Sequence, residues 1–578
     1  MHIENRLAMF ANIRIFKLVV LTMFLLLSSS IIAEATLELG YLEPFSEEFD
    51  LMPRVSQKND NFLKLQMTPG EYESVAFYLI SDSDLGSVEV ALTKLHKGSD
   101  VIAESNFDLK HVAYWYQSGG AWESIRVDRK KENMLVPELL VNDPRLVELD
   151  HDNRINLVSG VGERKVKLSG DVIEQRKSLD GVVIRDADKL LPASLKANTP
   201  NHYFLTIQAP DDSAPGIYNG HVVARSGDIE RRFNIAVEIL PFTLNESPLT
   251  YSLYYRGKLK YDQTEISSEW KNEKQLYLEL KDMKEHGVCC PTNYQRIFPK
   301  TSDGSIEENV TLFRKHMEIR KSVGIDNDRL YYLGLLAGDD ASLKDLNVFK
   351  DKVDFVSELA SDVGVKTVFY YGKEERPADG YNEQLAAWEV VRKTGNAVFV
   401  ALSDRYFEKN QIAVPEIFVY HNDISLENAK KVKILGSEIL SYANPQVGVE
   451  NPALYRSNYG FNLIKNGFDG VMNYAYQDSM GVLWVDGDHR YYRDHVFAYP
   501  SSDGVISTIA WEAFREAVDD TRYYYYALEL ISKIDIPDSK KYRIELDKIM
   551  EDFDASDFNS ANRARKELVG LISMIGGG

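Results

Sequence analysis

The sequence predicts a multidomain β plus α/β protein: an N-terminal β-sandwich, a (β/α)8 TIM-like barrel and a C-terminal helical tail. Three observations carry this. A chain of 578 residues is too long for one ordinary core. Residues 36–248 hold short apolar or alternating runs divided by turn signals, with no helical periodicity. After the Pro-bounded stretch Pro241 to Pro248 the period changes, and strand-like segments alternate with helix-like ones stopped by glycine.

The domain boundaries follow from the same changes: 1–35 a signal peptide, 36–248 the sandwich, 249–530 the barrel and 531–578 the tail. At the start, Arg6, Arg14 and Lys17 supply positive charge, and Leu18 to Leu27 is an apolar run too short for a membrane span. Ala33-Glu34-Ala35 fits a small-x-small cleavage site. The mature chain is therefore expected to begin at Thr36, secreted or periplasmic, with no membrane span left after cleavage. The only cysteines are Cys289 and Cys290. Neither is near the cleavage site, so a lipid-modified N-terminal cysteine is excluded. A bond between neighbours is strained, so no disulfide framework is expected. There is no zinc-type Cys/His spacing, and no metal or cofactor is expected.

In the sandwich the expected strands are Ser74 to Ile80, Ser87 to Leu92, Val112 to Tyr116, Tyr203 to Ala209, Ile217 to Ala224 and Phe233 to Leu240. Thr68-Pro69-Gly70 and Ala214-Pro215-Gly216 are turns between them. Residues 120–200 are less regular and read as insertions and long loops. His111, His151 and His202 are scattered along the sandwich and read as structural histidines.

Eight strands are expected in the barrel: Thr250 to Tyr255, Val288 to Asn293, Arg329 to Leu336, Thr367 to Tyr371, Ala397 to Leu402, Glu416 to His421, Glu438 to Tyr442 and Asp469 to Tyr476. Helices are expected over Trp270 to His286, Ser305 to Val323, Leu343 to Val363, Asn382 to Lys393 and Pro452 to Lys465, followed by Gly287, Gly324, Gly364, Gly395 and Gly467. The links around strands five to seven lack clear helices. A long helix from Phe514 to Ile534 carries Arg515, Glu516, Asp519, Asp520 and Arg522 at i,i+3 and i,i+4 spacings, which suits a structural ion network.

Chemistry in such a barrel sits at the carboxyl ends of the strands. Just past the fourth strand stand Glu374 and Glu375, two adjacent carboxylates that repel when both are ionised and desolvated, so one is expected to serve as a neutral acid. Gly372 is expected to let the backbone turn there. The expectation is that Glu375 is the more buried and holds the proton, while Glu374 stays ionised against a cation or an amide donor, with Arg376 the nearest candidate in sequence and Arg256 the nearest across the rim. The other rim candidates, expected to bind substrate, are Tyr371, Arg256, Asn293, His421, Asn444, Glu450, Gln477, Asp478 and Trp484. Asp469, at the opposite end of the barrel, is expected to be structural.

The net charge of −21 leaves no basic surface to displace counterions, which excludes a nucleic-acid partner. The 33 Tyr and 25 Phe suit stacking on the apolar faces of sugars as well as ordinary β cores.

Several segments together resemble one family. Tyr371-Gly372-Lys373-Glu374-Glu375 resembles the Tyr-Gly-x-Asp-Glu segment of barrel glycosidases related to glycoside hydrolase family 123. The run Trp511 to Tyr523 resembles the Trp-Glu-x-x-Arg-Glu-Gly-x-x-Asp segment near the end of that group, and Tyr72-Glu73-Ser74 with Pro215-Gly216-Ile217-Tyr218 resembles its N-terminal sandwich. The resemblance implies an oligo- or polysaccharide substrate and a retaining hexosaminidase in which the 2-acetamido group is the nucleophile. Glu375 would then be the general acid and base, and Glu374 would orient the acetamido nitrogen. The family has Asp where this chain has Glu374, one methylene longer, which shifts the carboxylate by about 1.5 Å. That departure keeps open a sugar other than N-acetylgalactosamine, a conventional mechanism with a partner such as Glu450 or Asp478, and a non-catalytic carbohydrate-binding or surface-assembly protein; a polysaccharide lyase is a further alternative.

Overall fold

The computed structural model describes residues 36–45, 62–117, 134–159, 165–168, 183–299, 304–325, 327–374, 380–409, 411–448, 451–479, 483–484 and 494–576. The expected signal peptide at 1–35, Glu375, Arg376 and Glu450 lie outside the described residues.

Two mainly antiparallel sheets make up the N-terminal part. One runs Leu37–Leu42, Tyr72–Ser81, Asn201–Gln208, Phe107–Gln117, Met134–Val141. The other runs Ala193–Leu195, Gly86–Leu92, Gly216–Ser226, Ile229–Ile239, Phe62–Met67, with Leu95–Lys97 and Asp100–Ile102 attached. Alternation along each strand sends one set of side chains inward. Leu39, Phe77 and Leu205 from the first sheet thus share a core with Leu65, Val222 and Val237 from the second. All six expected strands are present. The reading of 120–200 as loops needs correction. Met134–Val141 is an edge strand of the first sheet, and Val147–Asp150, Ile155–Ser159 and Lys165–Leu168 form a sheet of their own. Pro137 obscures the edge strand in the sequence. It is tolerated because the edge needs no donor there, and it pairs with Tyr114 where the register shifts.

The stretch from Leu240 to Leu249 is irregular, as expected of a linker, yet it is fastened. Arg522 donates to the carbonyls of Leu244 (3.1 Å) and Asn245 (3.0 Å), and Leu240 and Leu244 enter the core of the C-terminal helices.

Seven parallel strands follow, in the order Thr250–Tyr254, Gly470–Tyr474, Glu438–Ser441, Ile417–Tyr420, Ala397–Leu402, Thr367–Gly372, Arg329–Ala337. The expected second strand is not a regular ladder. Pro291 lacks an N–H and interrupts it. The segment nevertheless touches both edges of the sheet. Cys289 and Thr292 donate to the carbonyls of Tyr251 (3.0 Å) and Leu253 (2.9 Å) on one side, and Asn293 donates to Tyr331 (2.7 Å) on the other. Cys289 and Cys290 are bonded to each other, against expectation. Inside the sheet lie Tyr254, Tyr331, Phe369, Tyr371, Phe399, Val419 and Met472.

Helices Glu273–Glu285, Ile306–Ser322, Leu346–Asp362, Leu385–Lys393 and Leu426–Lys433 cover the outside. Ser305 and Asp345 cap two of them by accepting from N–H groups of the first turn. The expected single helix from Pro452 to Lys465 is broken at Gly460 into Pro452–Tyr459 and Phe461–Asn466. A Cβ on Gly460 would meet the Arg456 carbonyl at 2.7 Å and the Ala517 backbone at 3.3 Å. The glycine thus permits a close approach of the long helix Ile509–Ser532. Asp469 is structural as expected, accepting from Ile439 N (2.9 Å) and Lys433 Nζ (3.0 Å). Helices Ile536–Asp552 and Ser560–Gly576 complete the chain around Leu546, Phe553 and Leu568. No helix among the described residues is long and apolar enough to cross a membrane.

Candidate active site

Strand Thr367–Gly372 delivers Glu374 to the rim two residues beyond its end. Gly372 is needed there for space and not for a left-handed turn: a Cβ would sit 2.9 Å from the Val400 side chain and 3.2 Å from that of Trp388. Gln384 fixes the next residue, accepting from Lys373 N (2.7 Å) and donating to Lys373 O (2.9 Å). Lys373 reaches Asp340 at 2.9 Å, so it turns toward the neighbouring strand end.

Glu374 accepts a hydrogen bond from the Tyr371 hydroxyl, which in turn accepts from Tyr254 at 3.3 Å. Burial, with Tyr254 and Glu374 adding to it, pushes the Tyr371 hydroxyl well above the ordinary phenol range. It therefore remains a donor at any working pH. Arg256, expected as the cation for Glu374, is engaged elsewhere. Its Nη1 donates to both oxygens of Asp478 (2.9 and 3.0 Å) and to Tyr474 Oη (3.1 Å), and its Nη2 bonds Glu269. Glu269 also pairs with Lys258 at 2.9 Å. The rim thus carries an alternating row: Asp478, Arg256, Glu269, Lys258. Burial pushes the Asp478 carboxyl up, while Arg256 and Tyr474 pull it back toward the ionised form.

Between Glu374 and this row stand tyrosines. The Tyr254 ring lies 6.0 Å from Tyr371, 5.9 Å from Tyr442 and 5.3 Å from Tyr474. Burial raises the Tyr294 hydroxyl well above the ordinary phenol range, with Tyr474, Glu374 and Asp478 adding to the rise and Arg256 opposing it.

Of the expected substrate contacts, Tyr371 holds the expected catalytic Glu374, and Arg256 pairs with Asp478. His421 is exposed at the rim, its ring 5.6 Å from Tyr442. Asn444 holds a loop, donating to the carbonyls of Asn422 (2.9 Å) and Tyr442 (3.2 Å). Three expectations need correction. Asn293 is fully buried, with its amide directed at the Met317 sulfur (3.8 Å) and its Oδ1 accepting from Gln295 N (2.8 Å). Gln477 is buried between Lys271 Nζ (2.8 Å) and Ala498 O (2.6 Å). Trp484 is buried between Trp115 and Tyr499 and donates to Pro500 O at 2.8 Å.

Gln477 belongs to a dry scaffold beneath the rim. Lys271 Nζ meets Glu279 at 2.6 Å, and Glu279 also accepts from Tyr255 Oη (2.7 Å) and Gln275 (2.9 Å). Tyr255 and Gln477 are the chain neighbours of Arg256 and Asp478, so this scaffold sets where that pair sits. Sequence reasoning missed Tyr254, Tyr294, Tyr442, Tyr474 and Glu269. The tyrosines had a signal, since each stands at or just after a strand end; Glu269 had none. Among the described residues no group of His, Cys, Asp and Glu is arranged to hold a metal ion.

No family model matches the chain, and no curated protein matches it in sequence. Solved structures do. A family 123 glycoside hydrolase from Clostridium perfringens, studied for glycolipid glycan hydrolysis, aligns with a TM-score of 0.59 at 12% identity, covering 94% of this chain and 98% of that one. An endo-β-1,4-mannanase from Thermotoga petrophila aligns over 48% of this chain and 77% of its own at 13% identity, with a TM-score of 0.31. The β-glucuronidase 3 of Bacteroides uniformis aligns over 80% of this chain and 50% of its own at 8% identity, with a TM-score of 0.27. The resemblance read from the sequence is thus one of architecture: from end to end, this chain resembles a family 123 glycoside hydrolase in fold.

Proposed function

We propose that the protein is an exported glycoside hydrolase, with a β-sandwich ahead of a (β/α)8 barrel, acting on a glycan with Glu375 as general acid and base. The observation that carries this is Glu374, held by a buried tyrosine at the carboxyl end of a parallel strand, with a cluster of tyrosines between it and Asp478. Tyrosine faces suit the apolar faces of sugar rings, and the carboxylates suit their hydroxyls.

The mechanism that fits best is a retaining one assisted by the substrate. Glu375 protonates the glycosidic oxygen as the acetamido carbonyl oxygen attacks C1, and the C1–O bond breaks to release the alcohol. Water then attacks C1, returning the acetamido group and giving a proton back to Glu375. Glu374 takes the acetamido N–H and stabilises the positive charge that develops. Two points support this over a conventional pair. A nucleophilic carboxylate must be free to bond C1, whereas both Asp478 oxygens accept from Arg256. Adjacent carboxylates also leave the far side of the sugar to the substrate's own group.

Glu375→Gln is expected to lower kcat/KM on alkyl or oligosaccharide N-acetylhexosaminides by about 10³-fold, within the range for general acid catalysis. Steady-state kinetics against the parent checks this; equal turnover would remove Glu375 from the acid role. A parent that cleaves a 2-acetamido glycoside but not its 2-hydroxy counterpart supports assistance. Glycan binding with no new reducing ends would support the non-catalytic reading instead.

A further inference from the structure

The row that starts at Asp478 does not end at Lys258. Lys258 Nζ lies 4.2 Å from the centre of the Trp270 ring, and Trp270 remains 37% exposed. A single exposed aromatic is ordinary, but this one is rigidly mounted. Ser267 Oγ accepts from the backbone N–H groups of Glu269 and Trp270, each at 3.1 Å. Lys258 N donates to Glu269 O (2.6 Å) and Lys260 N to Lys271 O (2.8 Å), which pairs Lys258–Leu259 with Trp270–Lys271 in parallel. The next side chain, Lys271, is buried in the ion pair with Glu279. Alternation along this short strand turns Trp270 the other way, to solvent. Tyr261, 53% exposed, is on the same loop.

We infer that Trp270, with Lys258 over one face of its ring and Glu269 paired to that lysine, is an outlying saccharide subsite that takes a ring of a glycan chain whose cleaved unit sits at the tyrosine-rich rim. This rests on the glycosidase reading of that rim. The chemistry is that of a sugar: an apolar ring face for the indole, and hydroxyls for a cation and a carboxylate lying side by side. Continuity supports the same occupant, because Glu269 is shared between Lys258 beside Trp270 and Arg256 beside Asp478. The substrate class is therefore an oligosaccharide and not a lone glycoside.

The test uses the full chain with tetrasaccharides of N-acetylglucosamine and of N-acetylgalactosamine, and with the matching one-ring nitrophenyl glycosides. Trp270→Ala is expected to raise KM for the tetrasaccharide about tenfold, the size of one aromatic stacking contact, and to shift the one-ring substrate less than about twofold by the same reasoning. Trp270→Phe should restore most of the loss. Calorimetric binding of the tetrasaccharides to Glu375→Gln, with and without Trp270→Ala, gives a readout free of turnover. Equal effects on long and short substrates, no effect on either, or no tetrasaccharide binding at all would each overturn the subsite. Binding that depends on Trp270 without turnover by the parent would keep the subsite and reject the hydrolase reading.

Discussion

Replacing Glu374 by Gln is expected to lower kcat/KM by about 10²–10³-fold, the usual cost of losing one preorganised electrostatic contact to a transition state, while leaving the fold intact. Gln keeps the length of the side chain and an oxygen that can accept from Tyr371 Oη. The substitution therefore removes charge without disturbing position. A neutral amide still accepts a hydrogen bond but offers little to a developing cation, so the loss should appear in kcat more than in KM. Glu374→Asp separates reach from charge. A carboxylate withdrawn by about one bond, roughly 1.5 Å, cannot meet Tyr371 and the substrate in the same way. It should retain more activity than Gln if charge dominates, and less if position does. Tyr371→Phe, which removes the donor holding Glu374, should cost about tenfold by the usual scale of a buried charge-assisted hydrogen bond. A double-mutant cycle of Tyr371→Phe with Glu374→Gln should then show strong coupling. Removing the charge next to Glu375 should also lower the basic limb of the pH–rate profile, because a like charge nearby favours the protonated acid. Unchanged turnover in Glu374→Gln would sink the role proposed for it.

How much of this was legible in the sequence depended on what each signal encodes. The change of period after Leu249 and the glycine after each helix are local facts, so Ala397–Leu402 was placed to the residue and Thr367–Gly372 within one. Pro291 and Pro137 misled in opposite directions. One sits in a segment whose apolar pattern promised a ladder, and the other interrupts a real edge strand. The rim residues failed for a different reason. Position after a strand says that a side chain is near the mouth, and not which way it points. Gln477 and Asp478 are neighbours, yet alternation buries the first in the scaffold and turns the second to the opening. Glu269 comes to Arg256 only because the loop folds back on itself, which no spacing announces. Glu375 follows from motif and adjacency alone, so the turnover of Glu375→Gln decides its role.

Arg565→Met is expected to destabilise the protein by about 3–5 kcal/mol, the cost of stripping the cation from a buried ion cluster. Its guanidinium joins three parts of the chain. From helix Ser560–Gly576 it reaches Asp520 (2.7 Å) and Glu516 (2.8 Å) on helix Ile509–Ser532, and Glu71 (3.5 Å) and Glu73 (3.6 Å) at the first sheet. Arg456 shares Asp520 at 2.9 Å. Burial, with Asp519 adding to it, pushes Glu71 up to about 7, and Glu73 and Glu516 also rise. The consequence for pH has a definite sign. An unfolded Glu ionises near 4.5, while folded Glu71 holds its proton to about 7. Between those values the folded state binds more protons, so stability falls as pH rises through that range. On the acid side, Glu512 runs the other way. Burial opposes its ionisation, but Arg515 and His286 prevail and hold it at about 2, so its contribution is lost as pH drops from 4.5 toward 2. Calorimetric melts should therefore show the parent more stable at pH 5 than at pH 8. Without Arg565 the remaining carboxyls titrate higher still, and the fall should be steeper and extend to higher pH. Arg563→Met on the same helix is the control, because its pair with Asp557 is solvent-exposed and worth under about 1 kcal/mol. Equal melts for the two variants would show that the cluster does not hold the three parts together.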